Sequence, residues 1–265
     1  TAASVTVNVR NDDIRLFVGG WDSNGADANG YYTNVPLRWL RASWLLLLQL
    51  LALGALLGTA GIWVDKWVFW FSSEGQTVEG GLIHAPLYDS AMFIASLVII
   101  PALAQFVVML ETEFFERYRA YYGSVQDHGT IEQIEARRQS LEGFSFESLT
   151  LITVSQLALA AVLALSAPAI VEVLNLQYRQ ISILRFGALG SVFLFVFIAA
   201  TSLVVFFDRR RVYCALQGLF LVLNGTLAYV TTNLGEEYYG VGYFLAAAIS
   251  AAAEESAGTT SESKV

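Results

Sequence analysis

The sequence has little charge and few of the residues that bind metals or form disulfides. Only 14% of its 265 residues are charged, and it contains one cysteine and two histidines. Cys214 has no second cysteine to pair with, and His84 and His128 are isolated from the Cys, Asp and Glu spacings typical of metal ligands. The sequence therefore predicts no intramolecular disulfide and no metal site.

Motifs of catalysis and of cofactor or nucleic-acid binding are also missing. The polar segments hold no Walker-type loop, no dinucleotide fingerprint, no Ser/His/Asp set and no paired carboxylates. The net charge of −8 leaves no basic footprint for a nucleic acid. We therefore predict that the chain is not an enzyme, has no cofactor and does not bind nucleic acid.

What the sequence has in abundance is hydrophobic residues, at 55% of the chain with a mean hydropathy of +0.54. This composition predicts an integral membrane protein. A spanning helix needs about 20 mostly apolar residues, and six segments approach or exceed that length. They cover residues 42–64, 86–110, 146–173, 181–207, 212–231 and 239–253. The predicted fold is all-α, with these six transmembrane helices forming one bundle over residues 42–253.

Local signals refine the second segment and the two ends of the chain. Asp89 is the predicted N-cap of the second helix, and Pro101 predicts a kink inside it. Residues 1–41 are polar and predict a loop or tail, with one short alternation of valines that would suit a strand. Residues 254–265 predict a C-terminal tail. Because the chain starts at Thr1 rather than Met, we expect a fragment of a longer protein.

The arginines predict the orientation of the bundle. Every second polar segment carries a cluster of them, whereas the alternate loops hold only Lys66 and Arg179. Because cytoplasmic loops are enriched in Lys and Arg, both ends of the six-helix unit are predicted to be cytoplasmic, with residues 63–89 outside. The clusters are Arg38 and Arg41; Arg117, Arg119, Arg137 and Arg138; and Arg209, Arg210 and Arg211.

The segment 111–148 is predicted to form a cytoplasmic helical hairpin. Its first half continues the second helix as an amphipathic helix, with Glu113 and Arg117 at a favourable i,i+4 spacing. Thr130 and Gln133 resemble a capping box at the start of a second short helix, and Gly143 supplies its stop. A solvated linker and a docking surface for a cytoplasmic partner remain equal alternatives.

The stretch GIWVDKWVFWF, residues 61–71, places Asp65 and Lys66 among tryptophans at the end of the first helix. Tryptophans at a membrane interface commonly form an anchoring belt. A charge in a membrane segment costs about 2.5–3.5 kcal/mol on insertion scales and often marks a cavity or a partner. Interface anchoring and a role for the charged pair in the lumen or between helices both remain open.

Four blocks of the sequence carry a resemblance to a known family. They are GIWVDKWVFWFSS, APLYDSAMFIASLVIIPALAQFVVMLETEFFERYRAYY, YRQISILRFGALGSVFLFVFIAATSLVVFFDRRR and LVLNG, in this order. Together they resemble the C-terminal half of the Pel exopolysaccharide transporter, the PelG family, over about residues 38–250. An Asp-Lys pair among tryptophans and a Tyr-Asp start leading to a glutamate-rich aromatic helix end are its most specific features.

The resemblance implies one half-bundle of a polysaccharide and multidrug flippase-like fold in the bacterial inner membrane. It also implies export of a galactosamine-rich, partly N-acetylated biofilm polymer. The partners that it implies are a cytoplasmic glycosyltransferase and membrane proteins of the same complex, PelF, PelD and PelE. It carries no established catalytic residues to this sequence, so the candidate residues rest on physical chemistry.

A polysaccharide path needs polar groups for hydroxyls, aromatic faces for sugar rings and carboxylates for any ammonium groups. Among the residues that meet these needs, we favour the charged Asp65 and Glu111, because intramembrane amides commonly serve as inter-helix hydrogen bonds. The candidates are Gln49, Asp65, Trp67, Trp70, Asp89, Gln105, Glu111, Gln156 and Asn224. The Asn224 sequence NGT matches a glycosylation acceptor, but its position inside a helix favours a packing contact.

The loop between the third and fourth helices predicts an ion pair. Glu172 and Arg185 lie at similar distances from the midpoint of this loop, so their side chains should reach a similar depth.

Two functions remain: an exopolysaccharide exporter, or a scaffold that anchors a synthase complex without transporting. Convergence of the polar candidates on one concave surface would favour the exporter, and scattered positions would favour the scaffold.

Overall fold

The computed structural model describes the backbone of residues 3–10, 13–20, 31–78, 80–127 and 129–262. Side chains are described for residues 49–78, 80–127 and 129–254. His128, one of the two histidines considered above, lies outside the described residues. Residues 1–53 and 54–265 form two units.

The first unit contains a three-stranded antiparallel sheet, which corrects the prediction of a loop or tail over residues 1–41. The strands are β1 (Ala3–Arg10), β2 (Asp13–Gly20) and β3 (Tyr31–Pro36). In the β1–β2 register, Val5 pairs with Val18 and Val7 pairs with Leu16. The alternating valines were the correct signal, because an apolar residue at every second position suits one face of a strand. The matching apolar run of β2 was overlooked.

The rest of the chain is helical, with two very short strands in the first long loop. The helices are α1 (Leu37–Trp70), α2 (Pro86–Leu97), α3 (Ile99–Met109), α4 (Phe115–Gln126), α5 (Ile131–Val173), α6 (Gln180–Phe206), α7 (Arg210–Leu234) and α8 (Val241–Glu262). A π-helical turn (Leu110–Phe114) joins α3 to α4, and a 3-10 turn (Glu236–Tyr238) precedes α8. The short strands are β4 (Gln76–Thr77) and β5 (Ile83–His84). The predicted all-α membrane fold is therefore confirmed for the main part of the chain.

The start of α2 and the break after it have separate causes. Ala85 is the N-cap and Pro86 the first helical residue, so the prediction of Asp89 as N-cap is wrong by one turn. The Asp89 carboxylate does satisfy that terminus, because it accepts a hydrogen bond from the Ala85 N–H at 2.9 Å. The break between α2 and α3 falls at Val98, three residues before Pro101. Pro101 has no N–H to donate to the fourth residue before it, which accounts for the predicted irregularity.

Two helical rods are much longer than a bilayer requires. The rod of α2, α3, the π turn and α4 has 41 residues, and α5 has 43. At about 1.5 Å per residue each exceeds 60 Å, roughly twice the hydrocarbon core of a membrane. Both rods extend beyond the bundle in the same direction, since α4 and the first part of α5 pack against each other. These extensions form the predicted helical hairpin.

The boundary signals of this hairpin were partly correct. The Thr130 capping box forms in both directions, with the Gln133 N–H bonded to Thr130 Oγ1 and the Thr130 N–H bonded to Gln133 Oε1. Gly143 is not a stop, because α5 continues through it without interruption. A glycine inside a helix weakens it by only about 1 kcal/mol, and a helix packed along its length tolerates that loss. The segments predicted to be separate are one helix.

The helices alternate in direction, so their connections fall at two ends of the bundle. Residues 127–130 and 207–209 connect helices at the end that carries the arginine clusters, and residues 71–85, 174–179 and 235–240 connect them at the other. Contacts between loops support this arrangement: Arg179 pairs with Glu236 at 2.6 Å, and the Tyr239 hydroxyl contacts Glu74 at 3.3 Å. We call the end of the bundle that carries residues 71–85, 174–179 and 235–240 the 71–85 end.

The interior of the bundle is centred on α6, which packs against α2, α5 and α8. Its small residues allow close approach: a Cβ on Gly187 would lie 2.7 Å from the Cβ of Ala95 in α2. Tight turns at Asn175 and Asp208, both in the left-handed conformation, end α5 and α6. Five described helices are long and apolar enough to cross a membrane, starting at Gln49, Pro86, Ile131, Gln180 and Arg210. The chain is a multi-pass membrane protein.

Candidate functional site

The Asp65–Lys66 pair lies at the 71–85 end of α1 and faces the bundle interior. Asp65 is completely buried, whereas Lys66 is partly exposed. Lys66 Nζ lies 3.2 Å from both carboxylate oxygens of Asp65 and also donates to the Ile62 carbonyl. The Tyr88 hydroxyl from α2 donates to Asp65 Oδ2 at 2.8 Å. The carboxylate thus joins α1 to α2, and its burial separates it from the surface grooves described below.

A second polar contact joins the same two parts of the chain. Trp70 Nε1 at the end of α1 donates to Asp89 Oδ2 at 2.8 Å, the same oxygen that accepts from the Ala85 N–H. The Phe69 ring stacks on Tyr88, with centroids 3.7 Å apart. Two predicted candidates, Trp70 and Asp89, therefore meet beside the Asp65 contact. We call Asp65, Lys66, Trp70, Tyr88 and Asp89 the Asp65 cluster.

Tyr239 closes this cluster on the side of the loop before α8. Its ring packs edge-on against Phe69 at 4.9 Å, and its hydroxyl donates to Glu74 Oε1. Burial and the Glu74 carboxylate raise the pKa of Tyr239 to about 12. The phenol therefore remains a neutral donor at physiological pH.

Trp67 points to a different place, a groove between the ends of α1 and α7. The groove encloses about 580 Å³, within the range of small-molecule sites. Trp67 is 41% exposed there. The lining combines aromatic, aliphatic, hydroxyl and amide groups, from Val64, Trp67, Val68, Phe71, Ser72, Ser73, Tyr229, Thr232 and Asn233. We call this the α1–α7 groove.

The remaining charged and amide candidates lie nearer the arginine-rich end or on open helix faces. Glu111 is exposed in the π turn and lines a groove with Phe115 and Phe206. Gln105 lines another, beside Phe144. Gln49 is exposed on α1. The predicted candidates thus do not converge on one concave surface, which by the criterion above favours the scaffold.

The two candidate amides that are completely buried are inter-helix contacts. Gln156 Nε2 in α5 donates to Ser191 Oγ in α6 at 3.1 Å. Asn224 Nδ2 in α7 donates to the Gly61 carbonyl in α1 at 2.8 Å. Both side chains are completely buried. The interpretation of such amides as helix-packing contacts agrees with this geometry, including the packing role expected for the NGT sequence.

The predicted ion pair between Glu172 and Arg185 is absent, although both side chains are described. Arg185 Nε instead donates to the Ala164 carbonyl at 3.1 Å. Ala164 lies four residues before Pro168, so its carbonyl lacks the N–H that would normally bond to it within the helix. Counting from the loop gave a depth but no rotational position, and it took no account of this free acceptor. Arg185 satisfies a backbone group rather than Glu172.

Sequence reasoning missed several residues of these sites. Tyr88 was overlooked, although its position beside Asp89 at the start of a membrane helix made it a candidate partner for Asp65. Gln180 joins α6 to α2 by donating to the Leu87 carbonyl at 3.0 Å and to Ser90 Oγ at 2.6 Å. Tyr229 and Asn233, four residues apart at the end of α7, share the groove with Trp67. The predicted six-helix topology placed that end of α7 on the same side of the membrane as the end of α1, but it did not predict that the two ends are neighbours.

The described sites offer aromatic faces and hydrogen-bonding groups rather than reactive chemistry. Within residues 49–78, 80–127 and 129–254, no group of three or more His, Cys, Asp or Glu side chains could hold a metal ion. The buried carboxylate of Asp65 is occupied by Lys66 and Tyr88. The α1–α7 groove combines exposed aromatic rings with hydroxyl and amide groups.

Comparison with known proteins identifies a family. The family model PelG, described as "Putative exopolysaccharide Exporter (EPS-E)", matches residues 34–254. No curated protein and no solved structure matches the chain. The match covers most of the sequence and includes the Asp65 cluster, the α1–α7 groove and the long helical hairpin. On this evidence, the chain belongs to the PelG family of exopolysaccharide exporters.

Proposed function

We propose that this protein exports a Pel-like, galactosamine-rich exopolysaccharide across a bacterial inner membrane. The family match over residues 34–254 carries the proposal. It is supported by the multi-pass helical architecture and by the α1–α7 groove, whose aromatic and polar lining suits a saccharide. The protein has a transport role rather than a catalytic one, and its six helical rods form one half of a flippase-like fold.

The proposed setting is a synthase-dependent complex with the glycosyltransferase PelF and the membrane partners PelD and PelE. The hairpin of α4 and α5 would face the cytoplasm beside the synthase. Its charged side chains are exposed, including Glu135, Arg138 and Glu142, which form ion pairs at 2.8 Å. Both ends of the six-helix unit are cytoplasmic in this proposal.

Inverted membrane vesicles containing the complex would test export directly. When supplied with activated sugar at their outer, formerly cytoplasmic, face, they should accumulate polymer in the lumen, where an added glycoside hydrolase cannot reach it. Vesicles that lack this protein but contain the same synthase should keep no protected polymer. The measurement is the hydrolase-resistant fraction of total polymer.

The same assay separates the scaffold from the exporter, and the scattered positions of the polar candidates make this comparison necessary. A scaffold supports synthesis without translocation, so its polymer would remain sensitive to hydrolase even in wild-type vesicles. If addition of this protein to the vesicles restored synthesis but protected no polymer from the hydrolase, the result would contradict export and favour the scaffold.

The orientation gives a further prediction that can be tested with engineered cysteines in a Cys214→Ala background. Ser73→Cys should react with a membrane-impermeant thiol reagent added to intact cells, because residues 71–85 are proposed to be outside. Ser124→Cys should be protected in the same cells and react after lysis. Labelling of Ser124→Cys in sealed cells would contradict the proposed orientation.

A further inference from the structure

The two long helical rods enclose a furrow that runs from the membrane-spanning part of the bundle into the hairpin. It consists of two adjoining cavities of about 480 Å³ and 430 Å³, and Glu113 lines both of them. One wall is formed by residues 104–120, which belong to α3, the π turn and α4, and the other by residues 137–152 of α5. We call these two cavities together the rod furrow.

The rod furrow begins at the depth where the hydrocarbon core of a membrane ends. About 20 residues of helix cross that core. Counted from Pro86 in α2 and from Val173 in α5, this length ends at about residues 106 and 153. The larger cavity therefore lies at the boundary between hydrocarbon and headgroups, and the smaller one lies beyond it in the headgroup region.

The polarity of the furrow changes in the same direction. The larger cavity is lined in part by Ala104, Val108 and Leu151, and the last two are 62% and 70% exposed. Open aliphatic side chains at this depth suit the first carbons of an acyl chain. The smaller cavity is lined almost entirely by polar and charged side chains. One apolar and one charged half, joined end to end, match the shape of a phospholipid.

The charges of the furrow are balanced. Among the described residues, its charged lining consists of Glu113, Glu116, Arg117 and Arg137. Arg117 is fixed between the rods, because its Nη1 donates to Ser140 Oγ at 2.8 Å and its guanidinium lies 4.6 Å from the centroid of the Phe144 ring. Its Nη2 contacts the Glu113 carboxylate at 3.4 Å. A guanidinium has five N–H donors, so Arg117 keeps donors for a ligand.

The other two charges have no ion-pair partner among the described residues. Glu116 comes from α4 and Arg137 from α5, so each rod supplies one of them. An anionic ligand would pair with Arg137 but would also meet the Glu116 carboxylate, and a cationic ligand would meet the reverse. A ligand that carries both charges complements both walls at once. Phosphate suits a guanidinium, and a primary ammonium suits a carboxylate.

We propose that the rod furrow is a binding site for a phospholipid whose headgroup carries a phosphate and a primary ammonium, the chemistry of phosphatidylethanolamine. The phosphate binds Arg137 and the free donors of Arg117, the ammonium binds Glu116, and an acyl chain lies along Val108 and Leu151. The bound lipid fixes the base of the hairpin to the membrane surface. This site is separate from the α1–α7 groove, and it does not depend on which sugar polymer the protein exports.

The test is native mass spectrometry of the intact protein, released from detergent after titration with three lipids that have the same acyl chains. Phosphatidylethanolamine has both charges and an ammonium with N–H donors. Phosphatidylcholine has both charges but no such donor, and phosphatidylglycerol has only the phosphate charge. The wild-type protein should bind phosphatidylethanolamine about fivefold more tightly than either of the others, the upper range of one exposed ion pair. Equal affinity for the three lipids would overturn the proposal and leave the furrow as a surface for a protein partner.

Arg137→Gln and Arg138→Gln form a matched pair. The two arginines are neighbours on α5 and both are exposed, but Arg138 pairs with Glu135 and Glu142 and does not line the furrow. Arg137→Gln should weaken binding of phosphatidylethanolamine by about fivefold, whereas Arg138→Gln should bind it like the wild type. Equal losses in the two variants would assign the effect to the general charge of the hairpin and contradict the site. Unchanged melting temperatures without added lipid verify that both variants are folded.

Glu116→Gln tests the ammonium contact by a change of selectivity. This variant keeps Arg117 and Arg137 but leaves the furrow with a net positive charge. Its affinity for phosphatidylethanolamine should fall and its affinity for phosphatidylglycerol should rise, so that the wild-type preference is lost. A preference that stayed as in the wild type would show that Glu116 does not face the headgroup, and the proposed recognition of a zwitterion would be wrong.

Discussion

Arg185 is predicted to stabilise the bundle by bonding to a backbone carbonyl that Pro168 leaves free. Pro168 has no N–H for the carbonyl of Ala164, and Arg185 Nε donates to that oxygen at 3.1 Å. In a membrane there is no bulk water to replace a lost donor. Arg185→Met should therefore lower the stability of the protein although it removes no ion pair.

The size of the stability loss expected for Arg185→Met depends on where the contact lies in the membrane. Inter-helix hydrogen bonds measured in a membrane protein average about 0.6 kcal/mol with a maximum near 1.7. Arg185 is exposed and only five residues inside α6, near the interface, so the bond is not fully shielded. We expect a loss of about 1 kcal/mol on this basis. A well-buried ion pair would instead cost roughly 3–5 kcal/mol when one partner is removed.

A double-mutant cycle with Pro168→Ala isolates this contact. Alanine at position 168 supplies the missing N–H, so the Ala164 carbonyl regains its helical donor and no longer needs Arg185. Most of the loss of about 1 kcal/mol caused by Arg185→Met should then disappear, whatever Pro168→Ala does by itself. The assay is the unfolding free energy of the purified protein in mixed micelles.

Two controls make the result decisive. Arg179→Met removes another exposed arginine at the same end of the bundle, one that pairs with Glu236 in a loop, and its effect should be additive with Pro168→Ala. Glu172→Gln should be additive with Arg185→Met. Strict additivity between Arg185→Met and Pro168→Ala would refute the reasoning. Coupling between Glu172→Gln and Arg185→Met would instead support an ion pair between these two residues.

The remaining predictions concern helix contacts elsewhere in the bundle. Tyr88→Phe should lower stability by about 1–3 kcal/mol, because it leaves the buried Asp65 carboxylate without its hydroxyl donor, and denaturation of the purified protein measures this. Gly242→Ala should lower the unfolding free energy by roughly 1–3 kcal/mol, since its Cβ would lie 2.8 Å from the backbone of α7. Gly143→Ala should raise the unfolding free energy by about 0.5–1 kcal/mol in the same assay, because a Cβ there has nothing within 4 Å. For Tyr239, an unfolded phenol titrates near pH 10 and the folded one near 12, so the folded state holds the proton longer and stability should fall as pH rises through that window. Tyr239→Phe should reduce this decline in pH-dependent melting, and an unchanged decline would assign it to another group.

The helices were predictable because hydropathy acts over many residues at once. The apolar segments 181–207 and 212–231 correspond to α6 and α7 within a few residues. The capping box at Thr130 was predictable for the opposite reason, since its two hydrogen bonds involve residues only three apart. Family membership was visible in the aromatic and charged blocks themselves.

What failed depended on the rotation and packing of the helices. Gly143 ends nothing, because a helix ends at a glycine only when the backbone turns into the left-handed region, as it does at Asn175 and Asp208 without glycine. The Glu172–Arg185 pair failed because similar depth along two helices does not bring two side chains to the same face. The polar candidates are scattered for the same reason, because the sequence gives no rotational position for the helices that carry them.

Buried and exposed polar residues of this bundle have different tasks, and the distinction changes how ligand-binding residues should be chosen. The buried groups each join two helices: Asp65 bonds α2, Gln156 bonds α6, Gln180 bonds α2 and Asn224 bonds α1. A group already bonded in this way can bind a ligand only by giving up a helix contact, so burial in a membrane protein argues for a structural role as much as for a functional one. The α1–α7 groove has the opposite properties, with exposed rings and acceptors that no helix uses. In a chain this poor in charge, unpaired polar atoms beside open aromatic faces are therefore stronger evidence for a polysaccharide path than a buried carboxylate.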